Sequence, residues 1–317
     1  MSAYIVRRLF LIIPTLFLVT VIVFITARLI PGNVIDLMIA DQREVQNQWD
    51  RAQLEHELGL DTAVHIQYFR WIGGIFRGDM GESLWTEIPV MEEVSSRLPV
   101  SAELGLMALI LGQLIALPIG IYSAIRQDSA GDYFGRSMAI VFIAVPSFWV
   151  GTMIMVFPAL WWNWSPPMKY IPFFDDPMGN MGQFVLPAII LGMVMSGTTM
   201  RMTRTMMLEV LRQDYIRTAW AKGLRERTVV VRHALRNALI PVVTIVGMQL
   251  PVLIGGSVVL EQIFNLPGIG RYLLSVINKR DYPVISGINL IMASFVLVVN
   301  LAVDLTYAFL DPRIQYS

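Results

Sequence analysis

The chain has 317 residues, of which 55% are hydrophobic and 15% charged, and its mean hydropathy is +0.59. This is too apolar and too weakly charged for an ordinary water-soluble globule, and a formal net charge of zero provides no bulk attraction for nucleic acid. Cysteine is absent, which removes disulfides and thiolate metal sites; the three histidines, His56, His65 and His233, are too scattered to pair as metal ligands.

Residues 5–30 start with Arg7 and Arg8 and continue as an apolar run. A secretory signal starts in the same way, but this run is longer than a signal core and no small-x-small site closes it. A retained membrane helix is expected over residues 1–30, with its basic start in the cytoplasm. Pro14 is tolerated in such a helix and can kink it. Residues 31–98 form the longest polar region, with twelve acidic and five basic residues, a balance that suits the outer side of the membrane. Within it a helix is expected from about Asp41 to Leu58, ending at Gly59. The aromatics Tyr68, Phe69, Trp71 and Phe76 then fit equally an element lying in the membrane interface or a small packed subdomain.

Residues 99–317 read as a core of five further spans. The first covers about 99–124, followed by a short cytoplasmic turn holding Arg126, Asp128, Asp132 and Arg136. The next covers about 137–160, with a kink at Pro146–Ser147, and Trp161, Trp162 and Trp164 follow as an aromatic belt. A span over about 183–200 contains Pro187, Gly192, Ser196 and Gly197. The polar loop 201–236 has nine basic and three acidic residues, as expected of a cytoplasmic segment. A span over about 238–260 carries Gly247, Pro251, Gly255 and Gly256. Residues 261–270 turn outside, about 286–310 form the sixth span, and the tail with Arg313 returns to the cytoplasm. Gly192, Gly247, Gly255 and Gly256 can line a channel, but close helix packing is the commoner use of such residues. Asp304 lies well inside the sixth span, where a carboxylate is costly unless paired; Arg7 and Arg8 enter from the same side, and interfacial water is the alternative partner.

The loop after the fourth span is too long to be only a turn. Read as a helix from Asp214, it places Tyr215, Ala219 and Gly223 in a stripe of diminishing bulk, with Asp214, Arg217, Thr218 and Ala221 beside it. Gly223 suits a helix stop, and a second helical run from about Arg225 to Leu239 leads to Pro241 and the membrane. Small residues admit a close neighbour and the charges can set its register, although composition alone describes a solvated basic loop equally well. The chain lacks GxxxxGK[ST], HExxH and GxSxG, so it offers neither the usual ATP cradle nor the common hydrolase signatures. Of the acidic residues near the spans, Glu103 and Glu261 sit toward span ends and Asp304 is the one placed well inside. A largely uncharged interior suits a pathway driven from outside rather than one coupled to an ion.

The order DY, RTA, AKGL, RHALRNALIP in residues 214–241 resembles the cytoplasmic coupling loop of ABC-importer permeases, in its dipeptide and oligopeptide branch. Arg217-Thr218-Ala219 stands where the general pattern has Glu-Ala-Ala, and the proline falls later, both as in the peptide branch. Residues 65–81 and 261–270 are also similar to that family. The resemblance implies an all-α polytopic membrane protein with six transmembrane helices, the type I importer-permease fold and an extracytoplasmic segment between helices 1 and 2. It implies a bacterial inner-membrane protein with both termini cytoplasmic that forms half of a peptide pathway by alternating access. The implied partners are a second related permease, two ATPase subunits that use ATP and magnesium, and an outer binding protein; this chain itself binds no cofactor and is not an enzyme. Contact with the ATPase is expected from Arg212, Asp214, Arg217, Thr218, Ala219, Ala221, Lys222 and Gly223. The same family carries nickel chelates, glutathione or opines, and a membrane scaffold or sensor that transports nothing is a further alternative.

Overall fold

The computed structural model describes residues 2–42, 51–167, 169–255 and 258–310. The middle of the expected Asp41–Leu58 helix, Gly256, the tail with Arg313, and the side chains of Arg7, Arg8 and Asp304 lie outside the described residues, so the pairing expected of Asp304 does too. Among the described residues the fold is helical, and the one extended pairing is an isolated bridge between Glu82 and Pro89. Among the described residues five helices are long and apolar enough to cross a membrane, and counting one bent helix pair as a single span brings these to six. The chain divides into two compact units, with the boundary inside two of the long helices.

One unit comprises Ser2–Val100 and Pro267–Leu297. It opens with α1 (Ser2–Arg28), followed by α2 (Val34–Gln42), α3 (Arg51–Glu57) and α4 (Val64–Ile75). Gly59 takes φ +64, and Leu60 N–H returns to Glu55 O at 2.9 Å, so the turn after α3 ends where a left-handed residue is available. The aromatics of α4 divide by face. Tyr68 and Trp71 pack against Phe24 of α1, and Thr20 and Tyr68 share a hydroxyl hydrogen bond of 2.9 Å. Phe69 and Phe76 remain exposed. One side of this segment is therefore packed against α1 and the other is exposed. Val34, Ile35, Met38 and Leu54 form a small core between α2 and α3.

The other unit comprises Ser101–Leu266 and Val298–Ser317. Its helices are α5 (Val90–Ile125), α6 (Ala130–Ala144), α7 (Ser147–Trp162), α8 (Pro177–Leu211), α9 (Asp214–Ala221), α10 (Glu226–Thr228), a π-helical segment Val229–Leu235, α11 (Arg236–Gln249), α12 (Val252–Gly255) and α13 (Val258–Ile263). α14 (Ile269–Lys279) belongs to the first unit, and α15 (Tyr282–Leu310) continues from it into this one.

The expected kink at Pro146 is a corner: α6 and α7 meet at 89°. Proline forces the preceding residue toward extended backbone, and Val145 stands at φ −83, ψ 123. The span over 238–260 is likewise interrupted, with α11 ending before Pro251.

α8 is the axis of this unit, packed by α6 and α11. Asp176 caps it by accepting from Gly179 N–H at 3.0 Å, and Pro177 occupies its first turn. The helix outlasts its apolar run by three turns and ends at Leu211, because Met207 and its neighbours still find a packed face there. A Cβ on Gly192 would lie 2.7 Å from Ala108 O, so this glycine lets α5 and α8 approach backbone to backbone. Gly247 similarly accommodates Val303. Packing, rather than channel lining, accounts for both.

Candidate functional site

At one end of the second unit a buried ion pair ties three helices together. Asp132, in the first turn of α6, is fully buried and accepts from Arg204 Nε at 2.7 Å and Nη2 at 2.8 Å. The same carboxylate accepts from Ser123 Oγ at the end of α5 and from Asp128 N–H in the intervening turn. A bidentate guanidinium with two further donors satisfies the carboxylate almost completely, the condition under which a buried charge is tolerated. The turn that the sequence marks by its charges is therefore a rigid base, joining α5, α6 and α8.

α9 rests beside this base. Its underside is apolar: Ile216 and Ala219 are buried with Ala124, Met207, Val229, Val230, Ala234 and Ala238. Its end is a complete left-handed stop. Gly223 has φ +71, Gly223 N–H donates to Trp220 O at 2.9 Å and Leu224 N–H to Ala219 O at 3.4 Å. A tether from the returning helix completes the mounting, since Asn237 Nδ2 donates to Tyr215 OH at 2.8 Å. Arg126 and Glu226 approach to 3.8 Å, and Arg212 donates to Gln127 Oε1 at 3.3 Å, both at the exposed margin.

Seven of the eight residues expected to contact a partner, Arg212, Asp214, Arg217, Thr218, Ala221, Lys222 and Gly223, are exposed. Ala219 is not: at 6% exposure it faces inward with Ile216 and serves the mounting of the helix rather than its outer surface. Small size alone assigns Ala219 to the outer face; the i, i+3 spacing from Ile216 indicates the inner one. Arg217 pairs along the helix with Asp214 at 3.2 Å, and Thr218 Oγ1 donates to Asp214 O at 3.0 Å, so the first turn holds its own polar groups in place.

Two residues of this surface are missed by the sequence reading. Trp220 is 45% exposed and Leu224 36% exposed, at the edge of the charged surface. A tryptophan on an eight-residue polar helix is the signal that could have found them, because aromatic anchors concentrate at protein contacts. The surface as a whole combines fixed charges, an aromatic and a backbone stop, features suited to docking a protein. Among the described residues no group of His, Asp and Glu side chains is placed to hold a metal ion.

The profile of the family described as binding-protein-dependent transport system inner membrane component matches residues 116–316, and that of its N-terminal region matches residues 1–105. Over their full lengths, the chain is 39% identical to the dipeptide transport system permease protein DppB of Escherichia coli and 40% identical to the protein of the same name from Alkalihalophilus pseudofirmus. It is 38% identical to a putative peptide transport system permease protein of Brucella abortus, again with all of both chains covered. A solved amino acid ABC transporter shares the fold with a TM-score of 0.50 at 15% identity, over 71% of this chain and 95% of the other.

Proposed function

This chain belongs to the binding-protein-dependent transport system inner membrane components, and from that premise we propose that it forms half of the translocation pathway of an ATP-driven importer for dipeptides or oligopeptides. Its fold is the all-α type I importer-permease fold. The exposed surface of α9 docks in a cleft of an ATPase subunit. A second, related permease completes the pathway, a second ATPase serves that permease, and an outer binding protein delivers cargo. The two ATPases consume ATP and magnesium; both termini of this chain and α9 lie in the cytoplasm.

The observation that carries this reading is the mounting of α9. A short helix with an apolar underside, a glycine stop and a side-chain tether cannot yield independently of the helices beneath it. Displacing it displaces α5, α8 and α11 as a body, which is the rigid motion that alternating access requires. The peptide cargo follows from what the relatives are named for, and the gate does not depend on it.

The absence of cysteine supplies the experiment. Ala221→Cys places the chain's sole thiol on the exposed surface of α9. Cross-linking of this thiol to an ATPase subunit is expected to stop uptake, and reduction to restore it. Labelling of the introduced thiol by an impermeant reagent from the outer side would overturn the assignment. Cross-linking in an importer that takes up no labelled peptide even before cross-linking or after reduction would leave the gate in place and reject the cargo.

A further inference from the structure

The first unit contains a cavity of about 210 Å³ that the coupling mechanism does not use. Phe24 and Arg28 at the end of α1, Arg70 and Trp71 of α4, and Tyr282 and Ser286 of α15 contribute to its walls. Arg28, Arg70 and Trp71 bring donors only, and two buried polar atoms of its walls lack a partner. Ser286 is 1% exposed and its hydroxyl makes no hydrogen bond; Trp71 Nε1 is also buried with no acceptor. Arg28 donates from Nε and Nη2 to Gln67 Oε1, at 3.2 and 2.8 Å, with its guanidinium 3.5 Å from the Phe24 ring centroid. Among the described residues neither Arg28 nor Arg70 has a carboxylate at ion-pair distance.

Buried polar groups left without partners are rare and costly in a folded protein, and an indole N–H and a hydroxyl sharing a cavity with two guanidiniums that meet no carboxylate among the described residues describe the complement of an oxyanion. The position of the cavity selects which one. Arg28 is the last residue of a membrane-spanning helix, and the phosphates of a bilayer lie just beyond the hydrocarbon at such an end. Around it, α4 and its end expose Val64, Phe69 and Phe76, and α1 exposes Leu18, Ile25 and Leu29. These are surfaces for the interfacial layer and for acyl chains. We propose that the cavity between α1, α4 and α15 binds the phosphodiester of a phospholipid headgroup, held by Arg28 and Arg70 with Trp71 and Ser286 as neutral donors. Arginine suits this ligand because its planar fork stays charged and donates along two edges. Occupancy fastens α4 to the end of α1.

The test uses the assembled importer. Phospholipid retained after exhaustive detergent washing is quantified by mass spectrometry. Short-chain phosphatidylglycerol is then titrated against the delipidated complex, followed by the fluorescence difference between the wild type and Trp71→Phe. The wild type is expected to retain one more phospholipid per chain than the Arg28→Gln/Arg70→Gln variant. Ser286→Ala should weaken the titration roughly 5-fold, the equivalent of one hydrogen bond. This variant breaks no described hydrogen bond, so it decides the matter if the arginine variants fail to assemble: a merely structural serine predicts unchanged lipid binding and a slightly higher unfolding temperature. Equal lipid retention in all variants would overturn the proposal. So would an equal fluorescence response to inorganic phosphate, or to a dipeptide carboxylate, in place of the lipid.

Discussion

Replacing Gly223 separates contact with a partner from stability of the chain. A Cβ built on this residue meets nothing within 4 Å, so a side chain there collides with nothing in its own chain. The internal cost is the left-handed backbone alone, roughly 1 kcal/mol for most residues and less for Asn or Asp, which tolerate that conformation. The protein should therefore reach the membrane and assemble. On the proposed docking of α9, a side chain added here points into the docked surface, and about 1.4 kcal/mol lost there corresponds to tenfold in coupling. Gly223→Asn and Gly223→Asp are thus expected to lower peptide uptake in proteoliposomes at least about tenfold while ATP hydrolysis continues, the Asp variant more strongly because it adds charge. Gly78 provides the control, since it has φ +82 and equally open surroundings but lies in the acidic segment; Gly78→Asn should transport normally. Wild-type uptake by Gly223→Asn, or an equal loss in Gly78→Asn, would refute the reasoning.

Arg204→Ala strands the buried carboxylate of Asp132 and should cost about 3–5 kcal/mol, read as a lower unfolding temperature and reduced abundance in the membrane. Ile216→Ala empties the underside of α9 at a cost of about 2–5 kcal/mol of packing, and limited proteolysis should then cut within residues 212–225 faster than in the wild type. Burial holds the Asp281 carboxyl above the usual carboxylate range, against hydrogen bonds from Ser83 at 2.5 Å and Leu84 N–H at 3.2 Å. The folded chain therefore keeps this proton to higher pH than the unfolded chain, so its stability falls as pH rises through that interval, and the cost is present at neutral pH. Asp281→Asn should raise the unfolding temperature at pH 7.5, with the difference shrinking toward pH 4.

The membrane spans are legible because each is an apolar run bounded by charges, and a bilayer leaves a backbone little choice but helix. Gly59 and Gly223 are legible as stops for the same local reason, a left-handed residue at a helix end. What lies beyond the sequence is how far elements run and which way their faces turn. The last three turns of α8 are helical because Met207 has a neighbour to pack against, which no window of hydropathy reports. The corner at Pro146 looks like an ordinary kink, because proline in a membrane helix permits either, and the surrounding helices decide. Ala219 is misplaced when size is weighed before periodicity, and Trp220 is missed when charge draws attention away from it.

The segment Val229–Leu235 has a consequence for any substitution scheme on the route from α9 to α11. A π-helical turn accommodates a residue that an α-helix would have no room for. One residue corresponds to about 100° of rotation about a helix axis. Deleting a single position among residues 229–235 would therefore let the backbone relax into regular α-helix with the flanking segments still facing as before, whereas deleting one position from the regular α-helix that follows would turn the segments on its two sides by that angle. A variant shortened in the second way would keep its spans yet present a different face to whatever grips it, while one shortened in the first would present the same one.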